Sequence, residues 1–432
     1  MSVPASGNVT LTGINTVFGK ATGFSLASYA SSNTYDVTTG TGSTLALPIT
    51  MRSSFLNKTP LGKVAKPTIV VTENATVAAG TLTNCVSISW SAPTGATPTG
   101  YTVEVSTDGT TFTVLSNPTS TSITHTPTAN QSYWYRVRAK TTGAVGAWSS
   151  NSGVAVFPYS SSPIAFTPPV LATFTMIGAA GGKGAATNYP VAQTYGTRVT
   201  GLAFNDAWQT RIAFGGAGGS GTAGAGITTF SFGNNTWSGG AGGAGWNVNA
   251  GGGGGASIIV TSGSGYLIVG GAGGGGDSGK SYGRVGGQAG NVWMPWTGYS
   301  MAQAPGSDGG WAATAGAAAK GGSISGGGAG GQGANRNAPA GGSGTGYALG
   351  AGGNGTSDNA TAGGGGGGGW NGGGGGACAE NQPGWSGYYE SGGGAGGMSL
   401  MSQVGIFTYI YPNPATSTIV SYPCSGWAFS TW

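Results

Sequence analysis

The stretch AGGGGGGGWNGGGGGACA, residues 362–379, sets seven consecutive glycines beside Trp370 and Asn371 and follows them with five more. Glycine gives up more backbone freedom on folding than any other residue, so such a run reads first as flexible linker. Its surroundings argue otherwise. From 178 to 397, 77 of 220 residues are glycine, against 14 in the first 170, and Trp208, Trp237, Trp246, Trp293, Trp296, Trp311, Trp370 and Trp385 are interleaved with them. Linkers carry few large apolar side chains, because those collapse the chain. Collagen is excluded as well, since the glycines come in runs rather than at every third position and proline is sparse among them.

A glycine chain can instead wind into an extended helix of three residues per turn with every N–H and C=O free to bond neighbouring chains. Segments such as GGAGGAG and GGAGGGG keep Gly or Ala at every position, so rods of this kind can pack side by side at backbone contact distance, the polyglycine II arrangement. Ordering one backbone residue costs about 1–2 kcal/mol, and one such hydrogen bond returns a net ~0.5–1.5 kcal/mol. Rods alone are marginal. A buried tryptophan adds about 4–6 kcal/mol at roughly 25 cal/mol per Å². Trp370 is therefore expected at the end or edge of a rod, fastening the turn between two glycine helices.

Strand-like stretches border the glycines: FTMIGAAGG, TRIAFGGAGG, GITTFSF, ASIIVTSGSGYLIVGG, VGIFTYIYPNP and STIVSYP. The order FTMIGAAGGKG…TRIAFGGAGG…GGGGGASIIV…GYLIVGGAGGGG resembles the glycine-rich domain of the ectodomains of anaplastic lymphoma kinase and its leukocyte relative. It is also similar to the tip adhesins of long-tail-fibre phages, a likeness covering roughly residues 171–400. The latter resemblance implies polyglycine II helices holding up loops that bind a host surface.

Outside this zone the pattern changes. Between about Pro67 and Pro158 lie short alternating stretches, CVSISW, YTVEVS, TFTVLS, SITHTP, YWYRVRA and GVAVF, separated by Gly, Asn, Asp and Pro clusters, which predict a β-sandwich. This segment resembles a fibronectin type III module, with Trp90 at its core tryptophan and Tyr133 at its tyrosine-corner position. The N-terminal stretch SVPASGNVTLTGINTVFGKATGFSLASY resembles a short motif of tailed-phage virion proteins. Leu11, Ile14, Phe18, Leu26 and Tyr29 fill its apolar positions, and the resemblance implies that they dock on the particle. The expected fold is mainly β. The expected division is a docking segment (1–66), a fibronectin type III-like domain (67–158), a Pro/Ser linker (159–170, in the four-proline stretch PYSSSPIAFTPP at 158–169) and a glycine-rich polyglycine II and β domain (171–432).

Charged residues make up only 6% of the chain, with net charge +5, which argues against a nucleic-acid binder. Cys85, Cys378 and Cys424 are widely spaced and odd in number, so neither a disulfide framework nor a zinc site is indicated. No export signal or long apolar span appears, so the expectation is a protein made and folded in the host cytoplasm without membrane insertion. Catalysis is not expected. The carboxylates Asp206, Asp277, Asp308, Asp358, Glu380 and Glu390 are isolated, His125 stands alone on a strand stretch, and the glycine runs lack the Lys-Ser/Thr of a phosphate loop. No cofactor and no metal are expected.

Recognition is expected in polar and aromatic inserts between glycine runs, because rigid rings give contact area cheaply and short polar side chains add hydrogen bonds. The candidates are Trp293, Trp296 and Tyr299 in NVWMPWTGY, and Trp385, Tyr388 and Tyr389 in ENQPGWSGYYES. Together these readings describe a phage tail fibre or adhesin located in the virion tail. Its partners would be tail or baseplate proteins and a host surface glycan or outer-membrane protein, with several copies per particle. The alternative is a capsid decoration protein or head fibre; a bacterial surface adhesin is a third.

Overall fold

The structure is a computed structural model that describes residues 35–36, 61–142, 144–183, 194–204, 209–232, 235–245, 250–262, 266–278, 282–283, 302–304, 320–323, 326–330, 349–355, 361–379, 390–391, 393–401 and 416–432. It is mainly β, built from several antiparallel sheets, with one short helix, α1 (Ala75–Ala78), among the described residues. The chain divides into two compact units. The first gathers 1–72 and 82–155; the second gathers 73–81 and 156–430.

In the first unit the six stretches expected to be strands all are strands. β1 (Thr68–Val71), β2 (Val86–Ser89) and β5 (Ser122–His125) make one antiparallel sheet in the order β1-β2-β5. β3 (Gly100–Ser106), β4 (Thr113–Ser116), β6 (Ser132–Thr141) and β7 (Ser152–Phe157) make the other, in the order β7-β6-β3-β4. The alternation of β6 is reproduced in its burial, with Tyr133, Tyr135, Val137 and Ala139 inside. Between the sheets Trp90 meets Tyr101 edge-on at 5.3 Å and His125 meets Tyr133 at 5.1 Å. The Tyr133 hydroxyl accepts the Thr128 N–H at 3.0 Å, tying the turn before β6 to its first buried ring.

The second unit begins with a difference from expectation. Residues 159–170 contain a strand, β8 (Ile164–Phe166), which pairs with β11 (Thr210–Ala213). The prolines flank this strand instead of extending a linker. Phe166 is buried against Phe157 at 4.8 Å and Phe174 at 5.8 Å, apolar contact that a solvated linker does not make. α1 also belongs to this unit. Asn74 caps it by accepting the Val77 N–H at 2.9 Å, Tyr159 N–H donates to the Ala78 carbonyl, and Glu73 pairs with Arg198 at 2.8 Å.

Two sheets frame the glycines. One has the order β8-β11-β14-β15-β17-β16, adding β14 (Ser257–Thr261), β15 (Tyr266–Val269), β16 (Ala302–Ala304) and β17 (Ser399–Met401). The other runs β18-β10-β9-β19, from β9 (Ala172–Ile177), β10 (Thr197–Phe204), β18 (Thr416–Ile419) and β19 (Trp427–Thr431). A hairpin of β12 (Ile227–Phe232) and β13 (Asn235–Gly239) brings Phe230 and Trp237 onto Ala213, Ile258, Val260, Ile268 and Leu349. VGIFTYIYPNP lies outside the described residues.

Candidate functional site

The glycine segments are neither helix nor strand, yet most of their residues are buried, and those of 250–256, 270–276 and 363–369 all are. Segment 250–256 shows how. The N–H groups of Gly251 and Gly254 donate to the carbonyls of Gly275 and Ala272; those of Gly252 and Gly255 donate to Gly219 and Gly216; those of Gly253 and Ala256 donate to Gly243 and Gly240. Its partner changes with every residue and returns after three. Its carbonyls meanwhile accept from Gly365 and Gly368, from Gly182 and from Gly224. One segment is thus bonded to six neighbours: 270–276, 215–219, 239–245, 363–369, 178–183 and 222–226.

Segment 363–369 behaves alike. Its N–H groups from Gly365 onward donate in turn to Gly251, Gly353, Ala395, Gly254 and Gly350, and Trp370 continues the sequence by donating to Met398. Its carbonyls accept from Gly243, Gly274, Gly376, Gly271 and Gly373, which adds 239–245, 270–276 and 372–377 to 250–256, 350–355 and 393–398. The two central segments lie side by side and share two neighbours. Around each centre the neighbours bond to one another in a closed ring; 178–183, for instance, bonds both to 215–219 and to 270–276.

Packing this close leaves no room for side chains. A Cβ on Gly253 would stand 1.9 Å from the Gly366 carbonyl oxygen, and one on Gly367 1.9 Å from that of Gly271. The longest pure-glycine run therefore sits where all three faces of the segment meet neighbours. Segment 239–245 carries Ala241 and Ala244, three apart and half-buried. Short polar side chains also accept from segment N–H groups. Ser257 Oγ accepts from Gly215 N–H at 3.3 Å, Ser399 Oγ from Gly270 at 2.9 Å, Ser425 Oγ from Ala217 at 3.1 Å and Asn354 Oδ1 from Ala244 at 2.9 Å. Sequence reasoning missed these caps, although serine follows the last residue of a glycine segment and opens a strand both in GGGGGAS and in GGMS.

The segments run in both directions, but their ends sort. β9, β11, β13 and β15 lead into segments, and segments lead into β12, β14 and β17, so the strands gather at one end of the bundle. At the opposite end the chain leaves through short ladders: Asp277–Ser278 pairs with Thr361–Ala362, and Tyr282–Gly283, Glu390–Ser391 and Cys378–Ala379 form one three-stranded ribbon. The excursion 380–389 is closed at its base by the pairs Cys378↔Ser391 and Ala379↔Glu390. The insert after Gly283 starts from the same ribbon and reaches β16 at the strand end by Ala302.

Trp370 occupies the turn between 363–369 and 372–377, at the strand end. Its ring is half-buried, stacks on Tyr266 at 5.6 Å with 9° between planes, and packs against the cluster of Trp237, Phe230 and Leu349. Beside it, Asn371 is buried and its amide donates to the Ser323 carbonyl. Trp293, Trp296, Tyr299, Trp385, Tyr388 and Tyr389 lie outside the described residues, as do Leu11, Ile14, Phe18, Leu26 and Tyr29. Of these the structure shows only the bases from which the two aromatic inserts spring.

Titratable groups are few. Cys85 and Cys424 are buried and free, with burial pushing their thiols up to about 11 and about 12. His125 Nδ1 lies 2.8 Å from the Tyr135 hydroxyl, and burial holds the ring below the ordinary imidazole range. Among the described residues no group of His, Cys, Asp and Glu could hold a metal ion, and no helix is long and apolar enough to cross a membrane. No protein family description matches the chain, and no curated protein matches it in sequence.

Proposed function

We propose that this chain is an adhesin or tail fibre of a tailed bacteriophage, in which packed polyglycine II helices form a rigid body that presents host-binding loops. The observation that carries this reading is the three-residue return of hydrogen-bond partners around segments 250–256 and 363–369, with six neighbours each. A three-per-turn helix bonds in that way, and a lattice of such helices accepts neighbours running in either direction. A host-binding surface needs a stiff base so that little entropy is lost on contact. The paired base of 380–389 supplies one for Trp385, Tyr388 and Tyr389, and the same ribbon starts the insert that carries Trp293, Trp296 and Tyr299.

The first unit reads as a fibronectin type III spacer. Two antiparallel sheets, a buried Trp90 and the Tyr133 hydroxyl bonded five residues upstream support this. Residues 1–66, with Leu11, Ile14, Phe18, Leu26 and Tyr29, dock on other virion proteins, and several copies per particle turn weak contacts into firm attachment. The test is binding of the fluorescently labelled full chain to bacteria susceptible to the phage that encodes it, with competition against infection. Saturable binding that slows infection is expected, together with immunogold label at the tail. Label confined to the capsid, or no binding by a folded chain, overturns the reading.

A further inference from the structure

The outer face of the β3–β6 pair carries a ladder of alternating rings and cations. Arg136 lies over Phe112 at 4.0 Å and over Trp148 at 4.4 Å, and Arg138 lies over Trp148 at 4.3 Å. Arg136 is satisfied, since its Nε and Nη2 both reach Glu104 Oε2, at 2.8 and 2.6 Å. Arg138 is not. Its guanidinium is stacked in place, its Nε is buried with no acceptor among the described residues, and no carboxylate among them pairs with it. Residues opposite and beside it on this face are Thr102, whose hydroxyl is engaged with Asn117, and Lys140, whose ammonium donates to the same Asn117 oxygen at 3.0 Å. The described residues of this unit hold Lys63, Lys66, Arg136, Arg138 and Lys140 against Asp36, Glu104 and Asp108, a balance of five to three.

We propose that Arg138, with Lys140 beside it, is a binding site for the carboxylates of an acidic polysaccharide. A guanidinium fixed on an aromatic ring loses little freedom when a carboxylate takes two of its N–H groups side by side. Lys140, two residues along the strand and hence about 7 Å away, adds a second charge for a neighbouring group on the same or the next sugar. Two cations of this kind fit carboxylates spaced one to a sugar. Nucleic acid presents a closer row of phosphates and calls for a longer basic track. The site is independent of the aromatic inserts of the glycine bundle.

The test is titration of the full chain with polygalacturonate, with neutral dextran and polyphosphate as comparisons. Polygalacturonate is expected to bind in a salt-sensitive manner and dextran not at all. Arg138→Gln should weaken binding at least tenfold, Arg138→Lys nearly as much because the fork is lost while the charge stays, Lys140→Gln by several-fold, and Lys63→Gln not measurably. Arg138→Lys keeps a cation against Trp148, so a variant that melts at the wild-type temperature separates the site from the fold. Equal binding by wild type and Arg138→Lys, binding to polyphosphate alone, or no binding to polygalacturonate would each overturn the assignment.

Discussion

Gly367 and Ala244 belong to the same lattice and obey opposite demands. A Cβ on Gly367 would lie 1.9 Å from the Gly271 oxygen and 3.0 Å from the Gly397 nitrogen, so Gly367→Ala must push apart neighbours that are themselves bonded on several sides. Overpacking of this kind costs about 1–3 kcal/mol. Ala244 stands half-exposed on the rim, where Ala244→Gly costs only about 0.5–1 kcal/mol of added chain entropy. Calorimetry of the two variants should show the larger fall in melting temperature for Gly367→Ala; the reverse order would mean that contact between backbones does not set the spacing. His125 supplies a second residue-scale prediction. Burial depresses its folded pKa, so the unfolded chain takes up a proton that the folded chain refuses once pH drops below the ordinary imidazole value of about 6.5. The contribution of neutral His125 is complete above that value and is lost as pH falls below it. Denaturant midpoints for the first unit should decline from pH 8 to pH 5, and His125→Gln should flatten the decline in that window.

At the scale of the element, Trp370 decides whether a turn between glycine segments holds. Its ring bridges the turn to Tyr266 and the Trp237 cluster, while its N–H continues the donor sequence of 363–369 into Met398. Trp370→Ala removes the ring yet keeps the backbone bond, so the turn should loosen before the bundle dissolves. New proteinase K cuts within 363–376 are expected, with the rest of the pattern retained; unchanged resistance would place the fastening elsewhere. Ser399→Ala tests the caps. It leaves the Gly270 N–H buried without its acceptor, a loss of about 1–3 kcal/mol visible in thermal unfolding.

Much of this was legible in the sequence. Glycine purity marked the interior segments, and tryptophan between glycine runs marked order over flexibility. The identity of each neighbour was not legible, because a segment without side chains carries no code for its partners; the strands and caps at its ends set the arrangement. β8 was missed for a related reason, since its flanking prolines were visible and the partners of Phe166 at Phe157 and Phe174 were not. The six candidate aromatics gave a pattern of residue types, and only the bases of their inserts acquired a place.

Across the whole molecule, the same chemistry that makes the glycine bundle improbable as a linker makes it tolerant as a scaffold. Segment 250–256 runs with 363–369 and against 270–276, and both contacts are bonded with the same three-residue rhythm. A new insert can therefore enter or leave at the end opposite the strands without disturbing a fixed strand order. Rigidity is measurable through the amides. In a disordered chain glycine amides exchange rapidly, whereas those of Gly251 to Gly255 and Gly365 to Gly369 are buried donors whose release requires several surrounding segments to part together. Hydrogen exchange should accordingly place these two runs among the slowest amides of the chain, with the rim around Ala223 to Ala225, exposed in part, opening sooner. Uniformly fast exchange across these glycine segments would leave the bundle without cooperative structure.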